Sequence, residues 1–315
     1  MPKKLLAGIL ILAVALPACS LRRPTTAVLP ISPRQALIAA IKDYQKTLGF
    51  EDTQNFARYS ATTKALYRCY YTGKLELPAS YEEMHLTDGN EAGCSLDEQK
   101  YDVLFYPLEA AASGASPVTP ALTEASWERL LVVVLHEDFH NQEEAEQSAP
   151  EIAEAAATLI GFLAASNFAE QKYGPASPLF QGLRREAPLF LEKAHVVSAH
   201  YGKLSDLYAA VRAKKISRLD ALARKSEIFV QLHRECSGIT PDPVSFNKCP
   251  AALNNAGLAF DRTYTRYYPW LFDRYNFQGQ DAGATVLAVK ALKRLLATRP
   301  RSEADLIRAF ERPPD

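Results

Sequence analysis

The run from Leu131 to His140 is strongly apolar and ends in the motif H-E-x-x-H. If this run is helical, His136 and His140 lie one turn apart and project from the same face. Two neutral imidazoles at that spacing can hold one divalent metal ion, and Glu137 can reach a water bound there as a general base. The motif therefore predicts a zinc site on a buried helix, with Glu137 as the catalytic residue of a hydrolase.

A buried helix needs a core, and the composition is sufficient to form one. Apolar residues make up 48% of the 315 residues, enough for one large core or two smaller ones. Lysine plus arginine and aspartate plus glutamate balance at 36 each, so no basic field points to a nucleic-acid partner. Beyond the N-terminus we expect no stretch as long as a membrane span.

The N-terminus has the pattern of a targeting segment. Lys3 and Lys4 precede an apolar stretch that is too short to span a bilayer comfortably, and Leu16-Pro17-Ala18-Cys19 resembles a bacterial lipobox. This pattern predicts that residues 1–18 are a lipoprotein signal peptide. The alternatives are an ordinary secretory signal and an uncleaved anchor.

The lipobox also predicts where the chain is held. Cys19 would carry the lipid, including palmitate, and residues 19–33, with several prolines, would form the lipidated tether. Ser20 stands where an aspartate would retain a lipoprotein at the inner membrane. We therefore expect a lipid-anchored protein of the bacterial cell envelope, at the outer membrane and facing the periplasm.

Four cysteines remain after Cys19: Cys69, Cys94, Cys236 and Cys249. An even number in an oxidising compartment predicts two disulfides with three possible pairings. The pairing of sequence neighbours would close loops of roughly 25 and 13 residues, each adding about 3 kcal/mol in the chain-entropy model. Buried free thiols are the alternative.

The N-terminal half predicts mixed structure. The apolar spacing from Pro33 to about Leu75 is helical, residues 76–100 form a polar loop pinned by Cys94, and Tyr101–Tyr106 is a strand that ends at Pro107. Residues 113–120 are a linker of small residues and proline.

From the motif onward the pattern is helical. The motif helix is predicted over about 124–147, the next begins at Pro150, two more occupy 203–236, and others cover 250–275 and 281–297. The predicted fold over residues 34–315 is thus mainly α with a minor β element. The H-E-x-x-H motif predicts that this helical domain is a zincin-like metallopeptidase domain.

A zinc hydrolase also needs a third protein ligand. The helix after Pro150 offers Glu151 and Glu154, and a helical hairpin would return Glu154 towards the two histidines. Both glutamates could instead be solvated residues of a first turn, where the helix dipole favours them. Geometry alone leaves three possibilities open: the third ligand is Glu154, it is Glu151, or it is neither of them.

The sequence resembles the predicted bacterial aminopeptidases, often lipoproteins, that carry H-E-x-x-H-x-Q. Their third-ligand segment is Asn-Glu-Ser-Phe-Ala-Thr, about thirteen residues after the second histidine. Here the motif continues to Gln142, and Glu154 is followed by Ala157, Thr158 and, further on, Gly161. The resemblance implies that His136, His140 and Glu154 bind Zn²⁺.

The resemblance extends over roughly residues 125–295. The matching elements in the C-terminal third are Leu207-Tyr208-Ala209, Asn254-Asn255-Ala256-Gly257-Leu258-Ala259, Tyr264 and Tyr268-Pro269-Trp270. Ala153 and Ala156 depart from the asparagine and phenylalanine of the family, which affects pocket shape more than the ligand set. The resemblance implies aminopeptidase activity.

Further residues are candidates for supporting roles. An oxyanion donor is needed, and His195, His200 and Tyr201 are possible sources because they cluster in the sequence. Site-adjacent candidates are Asn254 and Asn255, which are poor helix formers, and Thr158, one turn after Glu154. The alternative for the asparagine pair is a helix cap. The aromatic run from Tyr264 to Trp270 is expected to form core or pocket wall.

The sequence therefore predicts a lipid-anchored zinc metallopeptidase, an aminopeptidase by resemblance, that acts on peptide or protein substrates. Three alternatives remain open. One is a non-catalytic envelope lipoprotein with a structural or vestigial zinc site. Another is an endopeptidase of envelope proteins, and the third is hydrolysis of a non-peptide amide of the cell wall.

Overall fold

Helices dominate the structure, a computed structural model that describes residues 32–60, 66–111, 114–275 and 282–311. From Pro33 onward the chain forms a single unit. The predicted signal peptide 1–18, the lipidation site Cys19 and nearly all of the tether 19–33 lie outside the described residues. The helices are α1 (Pro33–Thr47), α2 (Pro120–Glu124), α3 (Trp127–His140), α4 (Glu143–Glu146), α5 (Pro150–Tyr173), α6 (Pro178–Leu183), α7 (Glu186–Arg212), α8 (Arg218–Ser237), α9 (Asn255–Thr265), α10 (Tyr268–Tyr275), α11 (Ala282–Ala297) and α12 (Glu303–Glu311).

Helix α5 is the central element, and α3, α6, α7, α9, α10 and α11 pack around it. Its residues from Ile152 to Ala169 are all buried, because the helix is rich in alanine and large apolar side chains. Among the described residues it is long and apolar enough to cross a membrane, contrary to the expectation that no such stretch exists beyond the N-terminus. The whole apolar stretch is nevertheless buried inside the protein, as in the core helix of a folded domain.

A small antiparallel sheet packs against α9. Its strands are β1 (Leu66–Gly73), β2 (His85–Asp88) and β3 (Tyr101–Leu108), in the order β2-β1-β3. The predicted fold class, mainly α with a minor β element, is confirmed. A short 3₁₀ turn, Tyr81–Glu83, precedes β2.

The predicted helix from Pro33 to about Leu75 is wrong in its second half. Helix α1 ends at Thr47, and Gly49 follows with a positive φ of 81° that a continuing helix does not allow. The aromatic residues of β1 suit a central strand that pairs on both sides, and this pairing outweighs local helical spacing. The strand that was predicted to end at Pro107 continues to Leu108, and β3 tolerates the proline because it lies at the edge of the sheet.

Both predicted disulfides form between sequence neighbours. Cys69 bonds to Cys94 and ties the polar loop to β1, and Cys236 bonds to Cys249 and ties the end of α8 to the segment before α9. The alternative of free thiols is excluded by these bonds.

The motif helix is shorter than predicted. Ser126 caps it by accepting a hydrogen bond from the backbone N–H of Arg129 at 3.1 Å, and it ends at His140 instead of near Gln147. Helix α5 begins at Pro150 as predicted. The helix predicted from residue 203 is the second part of α7, which begins at Glu186.

Candidate metal centre

Helices α3 and α5 pack side by side and bring the motif to Glu154, the candidate third ligand. A Cβ on Gly161 would lie 3.1 Å from the carbonyl oxygen of Val132 and 3.5 Å from Cβ of His136. The glycine therefore lets the two helices approach closely at this point. Because Val132 lies against Gly161 while His140 meets Glu154, the helices run in opposite directions, as a helical hairpin requires.

Three potential ligand atoms converge between these helices. Nε2 of His136 and Nε2 of His140 are 3.1 Å apart, and Oε2 of Glu154 lies 3.2 Å from the first and 3.0 Å from the second. Ligand atoms that surround a tetrahedral zinc ion at about 2.0–2.1 Å are about 3.3 Å from one another. The triangle is thus close to the size that one such ion needs, and a buried group of His136, His140 and Glu154 could hold a metal ion.

The charges of the group favour a cation. Burial alone would raise the pKa of the Glu154 carboxyl, but the two histidines outweigh burial and hold this pKa well below its usual range. Burial acts to lower the pKa of His140, and Glu154 outweighs it, so the pKa of His140 is raised. Glu154 therefore favours a positive charge beside it, which a proton on His140 or a metal ion supplies.

Glu137 follows His136 on α3 and is partly buried. Burial raises the pKa of its carboxyl, and the neighbouring His136 and His140 oppose that rise. A raised pKa brings a carboxylate nearer to the range in which it accepts a proton at neutral pH. Burial and the two histidines thus act in opposite directions on the charge of the Glu137 carboxyl.

Tyr81, which the sequence analysis did not single out, reaches the group from the 3₁₀ turn. Its hydroxyl donates a hydrogen bond of 2.8 Å to Oε1 of Glu154 and so leaves Oε2 to the two histidines. Its own backbone N–H donates to Oγ1 of Thr263, which fixes the turn against α9. Burial, and then Glu154, raises the pKa of Tyr81, so the hydroxyl stays protonated and donates.

Tyr264 of α9 forms a wall of the same site. Its ring centroid is 6.2 Å from that of His136 and 6.3 Å from that of Tyr81. Burial, followed by the charge of Glu154, raises the pKa of Tyr264 well above its usual value. The residue belongs to the aromatic run that the sequence indicated as core or pocket wall.

Asp138 and Gln142, two further polar residues of the motif, anchor α3 instead of lining the site. Asp138 is buried, and its carboxylate accepts hydrogen bonds from Lys42 at 2.7 Å and from Thr53 at 3.1 Å. The side chain of Gln142 donates to the backbone oxygen of Asp138 and accepts from the backbone N–H of Glu51. These contacts join the end of α3 to α1 and to the segment that follows it.

Several other candidates are not members of the ligand group. Glu151 pairs with Arg266 at 3.1 Å and is not part of the ligand group. Thr158 is buried on α5, one turn after Glu154. His195 is exposed. Nδ1 of His200 contacts the backbone oxygen of Val196 at 2.9 Å. The hydroxyl of Tyr201 contacts the backbone oxygen of Leu77 at 3.4 Å.

The asparagine pair has structural partners. Asn254 is the N-cap of α9, and its side chain accepts from the backbone N–H of Gly257 and donates to the carbonyl of Val103. Asn255 is fully buried, and its side chain accepts from Tyr208 and donates to the carbonyl of Glu76. The alternative of a helix cap therefore accounts for Asn254.

Comparisons with protein-family models, with curated proteins and with solved structures each found no match. The resemblance to the predicted bacterial aminopeptidases stays a prediction. The geometry by itself defines a class of site: two histidines from one helix and one glutamate from its neighbour, able to hold a metal ion, with a second glutamate alongside.

Proposed function

We propose that this protein is a zinc-dependent metallopeptidase of the zincin-like type, with His136, His140 and Glu154 as zinc ligands. The observation that carries the proposal is the convergence of these three ligand atoms within 3.2 Å of one another, next to Glu137. Two imidazole nitrogens and one carboxylate oxygen suit zinc. A set of three protein ligands leaves a fourth position open, which is typical of catalytic sites, whereas structural zinc sites have four protein ligands.

In such a site, bound zinc lowers the pKa of a water molecule and polarises the scissile carbonyl. The carboxylate of Glu137 accepts a proton from the attacking water and returns it to the nitrogen of the leaving amine. Its partly buried position beside both histidines supports this role, because burial raises its pKa towards neutral pH. Both proton transfers use the same carboxylate, so the residue is regenerated at the end of the cycle.

Tyr264 is the best candidate to stabilise the oxyanion. It lies against His136, and its raised pKa keeps the phenolic proton in place for donation. Tyr81 is a positioning residue, since its hydrogen bond holds Oε1 of Glu154 and directs Oε2 towards the histidines. Within the described ranges, no contact brings the other candidates, His195, His200 and Tyr201, to the ligand group.

The family resemblance favours an aminopeptidase, and one further side chain supports this choice. Glu82 follows Tyr81 and is exposed. Partial desolvation, and then the charges of Glu151 and Glu154, raise the pKa of its carboxyl. Its neighbour Tyr81 contacts Glu154 directly. An exposed carboxylate at the edge of the site is suited to bind the free α-amine of a peptide.

The proposed location is the bacterial cell envelope, with the protein anchored by lipid on Cys19. The two disulfides support an oxidising compartment, because such bonds persist outside the cytoplasm. Peptides or proteins of that compartment would then be the substrates.

The proposal is tested with Glu137→Gln, assayed for bound zinc and for hydrolysis of unblocked peptides. We expect zinc content to stay unchanged and turnover to fall by about 10²–10⁴-fold, because the proton acceptor is lost while the ligands remain. Glu144→Gln is the matched control. Glu144 lies on α4, and its carboxylate pairs with Nζ of Lys293 on α11 at 3.7 Å. Equal turnover in Glu137→Gln and wild type would disprove the mechanism. Bound zinc without hydrolysis of any peptide would favour a non-catalytic lipoprotein.

A further inference from the structure

A pocket of about 580 Å³ opens between α8 and the start of β3. The turn after β1 and the residues before α9 complete its walls. It is distinct from the metal centre: Asn254 lines it at the start of α9, whereas Tyr264 lies at the other end of that helix. Packed side chains of α9 and β3, including Phe260 and Leu104, lie between the two ends.

The floor of the pocket carries a net positive charge. The carboxylate of Asp102, which is 2% exposed, contacts Nζ of Lys74 at 3.0 Å and Nζ of Lys225 through its other oxygen. The backbone N–H of Asn255 donates to the same carboxylate at 2.9 Å. One aspartate therefore faces two lysines, and one positive charge is left without a balancing anion in this cluster. At the exposed mouth, Arg218 and Glu98 are of opposite sign.

Hydrogen-bond donors also remain on the two ammonium groups. Lys225 is buried and has three N–H donors, of which one goes to the carbonyl of Lys74 and one to Asp102. The described residues offer no partner for its third donor or for the remaining donors of Lys74. Burial lowers the pKa of Lys225, and Asp102 opposes this. A second anion would further oppose the lowering of the Lys225 pKa and would accept hydrogen bonds from the remaining donors of the two lysines.

Apolar side chains also line the pocket, and two of them are open to solvent. Phe229 is buried beneath the ammonium of Lys225, at 5.9 Å from ring centroid to Nζ. Val230 and Leu253, which line the pocket, are 61% and 53% exposed. A pocket that combines this cationic cluster with exposed apolar side chains is suited to a ligand with one charged end and one apolar end.

We propose that this pocket binds a monoanionic carboxylate attached to an apolar group. The C-terminal carboxylate of a peptide that ends in leucine and the carboxylate of a short fatty acid share this chemistry. A single uncompensated charge matches a carboxylate better than a phosphate dianion, and the apolar walls favour the attached group. The proposal concerns a site separate from the metal centre and does not depend on peptidase activity.

The test is calorimetric titration of the full chain with N-acetyl-L-leucine, N-acetyl-L-leucinamide, hexanoate and inorganic phosphate. We expect saturable binding of the carboxylates and binding of the amide weaker by about tenfold or more, because the charge-assisted hydrogen bonds to the lysines are lost. Tighter binding of N-acetyl-L-leucine than of hexanoate would identify a peptide end as the ligand, and the reverse order would identify a fatty acid.

Variants at the rim locate the site without disturbing the buried floor. Val230→Glu and Leu253→Glu place a negative charge at the pocket and are expected to weaken binding of N-acetyl-L-leucine by about tenfold. Leu219→Glu is the matched control, because Leu219 lies on the same helix, is 78% exposed and does not line the pocket. Four results would overturn the proposal: no saturable binding, equal binding of the amide, tighter binding of phosphate, or equal weakening by Leu219→Glu.

Discussion

Tyr81 donates its phenolic hydrogen to Oε1 of Glu154 at 2.8 Å, while Oε2 of the same carboxylate faces His136 and His140. A carboxylate held in this way offers one defined oxygen to a metal ion. A residue far from the motif in sequence thereby fixes the orientation of the proposed third ligand.

Tyr81→Phe is expected to weaken zinc binding by about 10–100-fold, because Glu154 loses the hydrogen bond that orients it. The measurement is competition with a chelator of known affinity. Tyr264→Phe is the matched comparison: it removes a hydroxyl that we place at the oxyanion, so turnover should fall while zinc affinity stays unchanged. Unaltered zinc affinity in Tyr81→Phe would contradict the positioning role.

Gly161→Ala tests the close contact of α3 with α5. Alanine normally stabilises a helix interior by about 1 kcal/mol relative to glycine. At this position the new methyl group would lie 3.1 Å from the carbonyl oxygen of Val132, so we expect a net loss of about 1–3 kcal/mol in the free energy of unfolding. The matched control is Gly202→Ala on α7, where nothing lies within 4 Å of the new Cβ.

Denaturant unfolding measures both glycine variants. Gly202→Ala should be neutral or stabilising and Gly161→Ala destabilising. If both variants changed stability equally, the helices would not be in close contact at Gly161, and the packing that brings Glu154 to the histidines would need another explanation.

Glu82→Gln examines the choice between an aminopeptidase and an endopeptidase. If Glu82 binds the α-amine, the variant should lower kcat/KM by about tenfold for unblocked peptides and leave N-acetylated peptides unaffected. Wild type should also prefer unblocked peptides. Hydrolysis of N-acetylated peptides at the same rate as unblocked ones would favour the endopeptidase.

Much of the metal centre was predictable because it is encoded locally. The spacing of His136 and His140 fixes their common face, and the break before Pro150 implies the hairpin that returns Glu154. The choice of Glu154 over Glu151 needed the family resemblance. In the structure Glu154 lies with the two histidines, and Glu151 pairs with Arg266.

The remainder depends on contacts between distant segments. Tyr81 lies in a polar loop whose position is set by a hydrogen bond to Thr263, and nothing in the local sequence distinguishes it from other tyrosines. The strand β1 resembled a continued helix because its partners, β2 and β3, come later in the chain. Asn255 suggested a functional role, yet its polarity serves buried hydrogen bonds, such as that with Tyr208.

The most direct test of the central claim is the zinc content of purified protein, compared between Glu154→Gln and Glu151→Gln. We predict one zinc ion per chain in wild type and in Glu151→Gln, and a loss of affinity greater than about 100-fold in Glu154→Gln, which removes a charged ligand. Loss of zinc only in Glu151→Gln, or full retention in Glu154→Gln, would contradict the assignment of His136, His140 and Glu154 as the metal centre.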